Sequence, residues 1–251
     1  MRMALPFLIA ALFVGGPAQA SPPARPVEDL THCETVVTGQ GEEERNRGLG
    51  LCLAEVLVRV AGRPDLAADP RLPALLAQAP SLVTALEYED RMKGLPIGDE
   101  QGTRDRPYFL RPTFDAAGIA AMLASLGRQP WPADRPVVGV IVTSRRGDRQ
   151  WQVTRSDSGA TRAAQVEALE AAAARFGLPL ALPEREGEAI AADAMLTGDL
   201  VFDEAALGWR AVWSMPGRAV TPWSVTGVSF DDAFRAGIGG AASVLSGGPQ
   251  P

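Results

Sequence analysis

The chain has 251 residues, of which 46% are hydrophobic and 22% charged, an ordinary globular composition with room for one large domain or two small ones. Its formal net charge is −6. Without residues 1–20, whose only charge is Arg2, 23 Lys and Arg face 30 Asp and Glu, a balance of −7. Such a chain lacks the basic footprint of a nucleic-acid binder and a polybasic patch for anionic lipid.

Residues 1–20 read as a secretory leader. Arg2 is the positive start, Leu5 to Val14 the apolar core, and Ala18-Gln19-Ala20 a small-x-small cleavage site. The core is well short of the ~20 residues that cross a bilayer, and no later segment is apolar enough to do so. The expected mature protein is soluble and periplasmic or secreted, cut after Ala20. Residues 21–30 are Pro-rich and form a flexible lead-in.

Cys33 to Thr38 alternates like a short strand. The stretch from Glu42 then reads as a long helix, with Leu49, Cys52, Leu53, Val56, Leu57 and Val60 on one stripe. Gly62 ends it and Pro64 prevents resumption. Asp69 to Gln78 suggests a short helix, Leu82 to Met92 a strand, Lys93 to Arg106 a polar loop, and Tyr108 to Phe114 a second strand. Asp115 starts a helix through Leu126.

Two prolines and a glycine between Gly127 and Arg135 mark a boundary, with Trp131 expected at the seam. Val137 to Thr143 is a β-branched run suited to a central strand buried on both faces. Gly147-Asp148 turns it into a short partner. Ala163 to Phe176 is an Ala-rich helix, followed by a short strand at Leu180–Leu182. A meander over Ala194–Phe202, Gly208–Met215 and Ala219–Val228 comes next. Ser229 and Asp232 open a final helix with a capping box. The expected fold is α/β (α+β), with two small modules, each a mixed sheet with helices packed on it. The modules span 31–127 and 136–246, joined by a linker at 128–135 and closed by a tail at 247–251.

The run Val56-Leu57-Val58-Arg59-Val60-Ala61-Gly62 is followed by Leu110-Arg111-Pro112-Thr113-Phe114-Asp115, Pro130-Trp131 and Arg135-Pro136-Val137-Val138. Together with Trp209-Arg210, Trp213, Trp223 and Ser229-Phe230-Asp231-Asp232-Ala233 it resembles the bacterial domain of unknown function 2066. The resemblance implies an exported protein without an assigned activity, so no catalytic residue is carried over.

Candidate sites are few. Cys33 lies about four residues before the end of its strand, roughly 13 Å back. Cys52 lies about nine residues into the helix, a similar rise. A helix folded back on the strand brings the sulfurs level, as a disulfide in an oxidising compartment or as two buried thiols. His32 is the only histidine and Lys93 the only lysine, which leaves little for His-activated nucleophiles or a metal set. Glu87 with Glu89, and Asp199 with Asp203, are the carboxylates that paired glycoside hydrolysis would need. Trp209, Trp213 and Trp223 are read as core beneath the last helix in preference to a sugar-stacking ladder. Gly237-x-Gly239-Gly240 is read as a close-packing stripe. In the Lys93–Arg106 loop, Lys93, Asp99, Arg104 and Arg106 form a candidate contact surface.

No catalytic, cofactor-binding or metal-binding residue is assigned, and no cofactor is implied. The expectation is a non-catalytic binding or assembly module of the cell envelope. Its partner would be an envelope protein or a glycan; nucleic acid and an integral membrane segment after leader removal are excluded. The alternatives are a carboxylate-dependent cell-wall hydrolase and a small-ligand binding protein.

Overall fold

The structure, a computed structural model, describes residues 30–95 and 106–251, together with the backbone pairing of Arg25–Pro26, Gly98–Asp99 and Gly102–Thr103. The leader, its cleavage site and most of the lead-in lie outside the described residues.

The first half begins with β1 (Arg25–Pro26) and β2 (Thr35–Thr38), then α1 (Glu42–Ala61). Helix α1 ends as its sequence requires. Gly62 adopts φ 64°, which a residue without Cβ tolerates, and the backbone N–H groups past the helix end return to the carbonyls of Arg59 and Val58. Its apolar stripe is buried throughout. After a 3-10 turn at Pro64–Ala68 come α2 (Leu72–Leu76) and β3 (Val83–Asp90). The polar stretch carries a small hairpin of β4 (Gly98–Asp99) and β5 (Gly102–Thr103), and β6 (Pro107–Phe114) leads into α3 (Ala116–Ser125). Asp115 caps α3 by accepting the N–H of Gly118 at 2.7 Å.

Strands β2, β6 and β3 form an antiparallel sheet in the order β2-β6-β3. Its inner face, with Val37, Leu110 and Phe114, packs on α1. The disulfide Cys33–Cys52 joins the lead into β2 to the middle of α1, with Cα atoms 5.5 Å apart. The folded-back helix thus brings the two cysteines together.

In the second half, β7 (Asp134–Arg135) pairs with β1. Then follow β8 (Val138–Arg146), β9 (Arg149–Gln152), α4 (Ala160–Phe176), β10 (Leu180–Ala181), β11 (Ala194–Asp203), β12 (Gly208–Ser214), β13 (Trp223–Val228) and α5 (Phe230–Leu245). Strand β8 is central, as its apolar run predicts: β10 and β11 flank it in parallel, and the hairpin partner β9 extends the β10 side. The sheet runs on through antiparallel β12 and β13. This six-stranded sheet is mixed, and with the five α-helices among the described residues it makes an α+β fold.

Helices α4 and α5 contact each other, and α5 lies against β12 and β13. Trp209, Trp213 and Trp223 are buried on that inner face, which removes any role as an open stacking platform. The glycine stripe of α5 is what lets the helix close on them. A Cβ on Gly237 would stand 2.4 Å from the Trp213 ring, and one on Gly240 2.6 Å from that of Trp223. The Ser229 hydroxyl accepts the N–H of Asp232 at 3.1 Å, the cap its spacing predicts.

One apolar core runs through residues of both halves. At the seam stands Arg135, with no exposed surface. Its Nη1 donates to the carbonyls of Phe176 (2.7 Å) and Gly177 (3.1 Å), and its Nη2 to those of Arg59 (2.7 Å) and Val60 (3.3 Å). These carbonyls close α4 and α1 and carry the negative ends of the helix dipoles; those of Arg59 and Val60 also accept the N–H groups of Gly62 and Trp131. Trp131 packs beside it, with the guanidinium 4.4 Å from the ring centroid. Desolvation, with the nearby Arg59 charge, lowers the Arg135 pKa to about 10, so it stays cationic at neutral pH.

Candidate functional site

Helices α1, α4 and α5 meet around an open cleft of about 740 Å³. Its α4 wall is Ala168, Ala171, Ala172 and Ala174, residues too short to fill the space. Charges ring it. Glu55 of α1 pairs with Arg175 of α4 at 2.9 Å. Arg59 donates from Nη1 to the carbonyl of His32 at 2.6 Å. Glu34 is held by Arg111 at 2.6 Å, and Arg111 reaches Glu89 at the same distance. Those two carboxylates, Glu89 first, raise the Arg111 pKa further. On the α5 side, Arg235 pairs with Asp232. The Ser229 hydroxyl, and then Arg235, hold the Asp232 carboxyl below its usual range, despite some opposing desolvation.

Ser229 is the only hydroxyl in the lining and donates to Asp232 at 2.8 Å. Glu34 and Glu55 are each engaged in an ion pair, with Arg111 and Arg175. Among the described residues, no group of three or more His, Cys, Asp and Glu is placed to hold a metal ion.

A second open groove, about 890 Å³, lies between the β8–β9 turn and the start of α4. Its floor is rigid. Trp151 donates from Nε1 to Gln165 Oε1 at 2.9 Å, and Gln165 donates from Nε2 to the Ser144 hydroxyl at 3.2 Å. Arg146 lies 4.2 Å over the Phe202 ring and pairs with Glu204 at 3.2 Å. Arg162 pairs with Asp157 at 3.0 Å. Arg146, Arg149 and Arg162 face Asp148 and Glu204 in the lining, a small basic excess.

The residues singled out from sequence scatter. Lys93 is exposed in the turn after β3. Arg106 turns inward: its side chain is 11% exposed, pairs with Asp90 at 3.3 Å and donates to the carbonyl of Met92, so it staples the base of the loop. Asp99 takes part in the β4–β5 backbone pairing, and its side chain, like Arg104, lies outside what is described. Glu87 and Glu89 belong to the three-stranded sheet, where Glu89 pairs with Arg111, and Asp199 and Asp203 to the six-stranded one, where Asp203 accepts the N–H groups of Ala205 and Ala206. His32 is half-buried, not exposed, because it bridges to Thr113 beside β6. Sequence reasoning missed Arg135 and the alanine wall. Arginine in a Pro-rich linker reads as solvated, and Ala168 and Ala172 read only as helix formers.

With the geometry in place, residues 24–132 match the model of a domain of unknown function (DUF8605). This corrects the resemblance to domain of unknown function 2066. The residues behind that resemblance, a helix stop at Gly62 and a set of core tryptophans, do packing work that recurs in unrelated chains. The match covers less than half of the chain. No curated protein matches it. Among the described residues, no helix is long and apolar enough to cross a membrane.

Proposed function

We propose that this is an exported, non-catalytic module that binds or organises a component of the cell envelope through the α1/α4/α5 cleft. The observation that carries the reading is the cleft itself. Residues from both halves build it, ion pairs fix its rim, and its only hydroxyl is committed to a helix cap. The open form suits a macromolecular surface better than an enclosed small molecule. The disulfide is compatible with an oxidising compartment outside the cytoplasm, and residues 1–20 have the pattern of a cleaved leader. In this reading the hairpin between Lys93 and Arg106 is a second contact surface.

Two measurements test it. In fractionated cells, the mature protein is expected outside the cytoplasm, starting at Ser21 with Cys33 and Cys52 joined; an intact N-terminus in the cytosol would overturn the export. A photo-crosslinking residue at Ala171 is expected to trap one discrete envelope component that the same residue at Ala206 does not. Equal labelling from both positions, or turnover of purified cell wall by the protein, would overturn the binding role.

A further inference from the structure

The six-stranded sheet has helices on one face only. Strand alternation and register put Ile141 and Thr143 of β8, Thr197, Asp199 and Val201 of β11, and Arg210 and Val212 of β12 on the other. The cross-strand hydroxyl pair of Thr197 and Ser214, 2.7 Å apart, lies on this face too. Val212 is 39% exposed. The face is thus a flat field of β-branched and hydroxyl side chains, and its centre holds one acid and one base.

Those two charges point to an occupant. Asp199 is opposite Val212 and Arg210 opposite Val201, so the two stand diagonally on neighbouring strands. No ion pair or side-chain hydrogen bond is formed by either one among the described residues, whereas Arg145 at the face's edge donates to Gln150. An acidic or a basic partner would satisfy one of the pair and repel the other. A second copy related by a two-fold axis satisfies both, because an isologous contact sets Asp199 of one protomer against Arg210 of its mate, and the reverse.

We propose that two copies of this chain pack face to face through the uncovered side of the six-stranded sheet, with reciprocal Asp199–Arg210 pairs. Four central strands, about six residues long and ~4.8 Å apart, offer a flat area on the order of 400 Å², which sets the association at the small, reversible end of protein interfaces. The apolar Ile141, Val201 and Val212 supply the dry contact, and the charges set the register.

Sedimentation velocity over a concentration series, on the mature full chain, tests this. The wild type is expected to shift reversibly from one chain mass to two. Asp199→Arg alone and Arg210→Asp alone should each weaken the dimer by at least tenfold, since each puts like charges together twice. The combined variant, Asp199→Arg with Arg210→Asp, should recover it, because the charges are again complementary. Both sites are on the surface, and circular dichroism checks that each of the three variants is folded. A monomer at every concentration overturns the proposal, as does a dimer that ignores the reversals. If the monomer also labels slowly at a Val212→Cys thiol, the face is covered by the chain itself, which again overturns it.

Discussion

Nη2 of Arg135 lies 2.7 Å from the carbonyl oxygen of Arg59, while Nη1 lies 2.7 Å from that of Phe176. One buried guanidinium thus closes the ends of α1 and α4. Its counter-charge is not a carboxylate but two helix termini. Replacing it with Met takes the donor from the carbonyls of Phe176 and Gly177 and one of two donors from those of Arg59 and Val60, and is expected to cost about 3 kcal/mol. Arg135→Lys keeps the charge but not the fork, and should recover only part of the loss. Denaturant unfolding at neutral pH measures both. A Met variant as stable as the wild type would show that the clamp carries no net stability.

The disulfide Cys33–Cys52 closes a loop of 19 residues' separation. Restricting the unfolded chain by such a loop contributes roughly 3 kcal/mol. Replacing both cysteines with Ala should lower the melting temperature in the oxidised protein and make it insensitive to reductant. The wild type should lose a similar increment when reduced. Equal melting of the oxidised and reduced wild type would remove the disulfide from the stability of the fold.

Gly237 and Gly240 test the packing of α5. A methyl at Gly237 meets the Trp213 ring at 2.4 Å, and Trp213 is itself closed in by Gly198 on the opposite side. The ring has nowhere to move, so Gly237→Ala should destabilise by about 2 kcal/mol in spite of Ala's better helix propensity. Gly159, the first cap of α4, has open space around its Cβ direction and no side-chain cap. Gly159→Ser should stabilise by a few tenths of a kcal/mol. Thermal melts of the two variants should therefore move in opposite directions.

Acid should unfold the protein over a defined window. Hydrogen bonds from Arg47 and the Thr38 N–H lower Glu44 to about 2, and those from Arg71 lower Asp69 to about 2. Burial raises Asp157, but hydrogen bonds from Arg162 and Thr154 outweigh it and lower the group. Groups depressed in the native state bind fewer protons there than in the unfolded chain, so stability rises with pH across their titration. It is complete above the unfolded values near 4 and lost as pH falls through the native ones. The melting temperature should stay level from neutral pH to about 5 and then decline toward pH 2. The arginine partners of Glu44 and Asp69 are solvent-exposed, so the decline should flatten with added salt. A melting temperature that rises below pH 4 would contradict the assignment.

Much of the fold was legible locally. The period of Leu49, Cys52, Val56 and Val60, with Gly62 and Pro64 behind it, foretold α1 within a residue or two. The β-branched run after Val137 foretold a central strand, and Asp115 and Ser229 foretold two caps. The final helix with its glycines foretold a surface closing on aromatic rings. The Lys93–Arg106 stretch read as a plain loop, yet it holds a two-residue-stranded hairpin, because turn chemistry alone does not reveal so short a pairing. The candidate site was not legible at all. Ala168 and Ala172 become a cleft wall only when α1 and α5 stop short of them, and Arg135 becomes structural only when two helix ends converge on it.

The chain's own pattern determined the order and limits of its elements, the two cysteines that meet, and the absence of a histidine-based reactive set. These depend on periodicity, turn residues and composition, which act within a few residues. The tertiary structure alone decided which carbonyls Arg135 satisfies, where the alanine-lined cleft opens, and which sheet face carries Asp199 and Arg210. Those outcomes depend on hydrogen bonds and packing between residues dozens of positions apart, whose geometry no local pattern encodes.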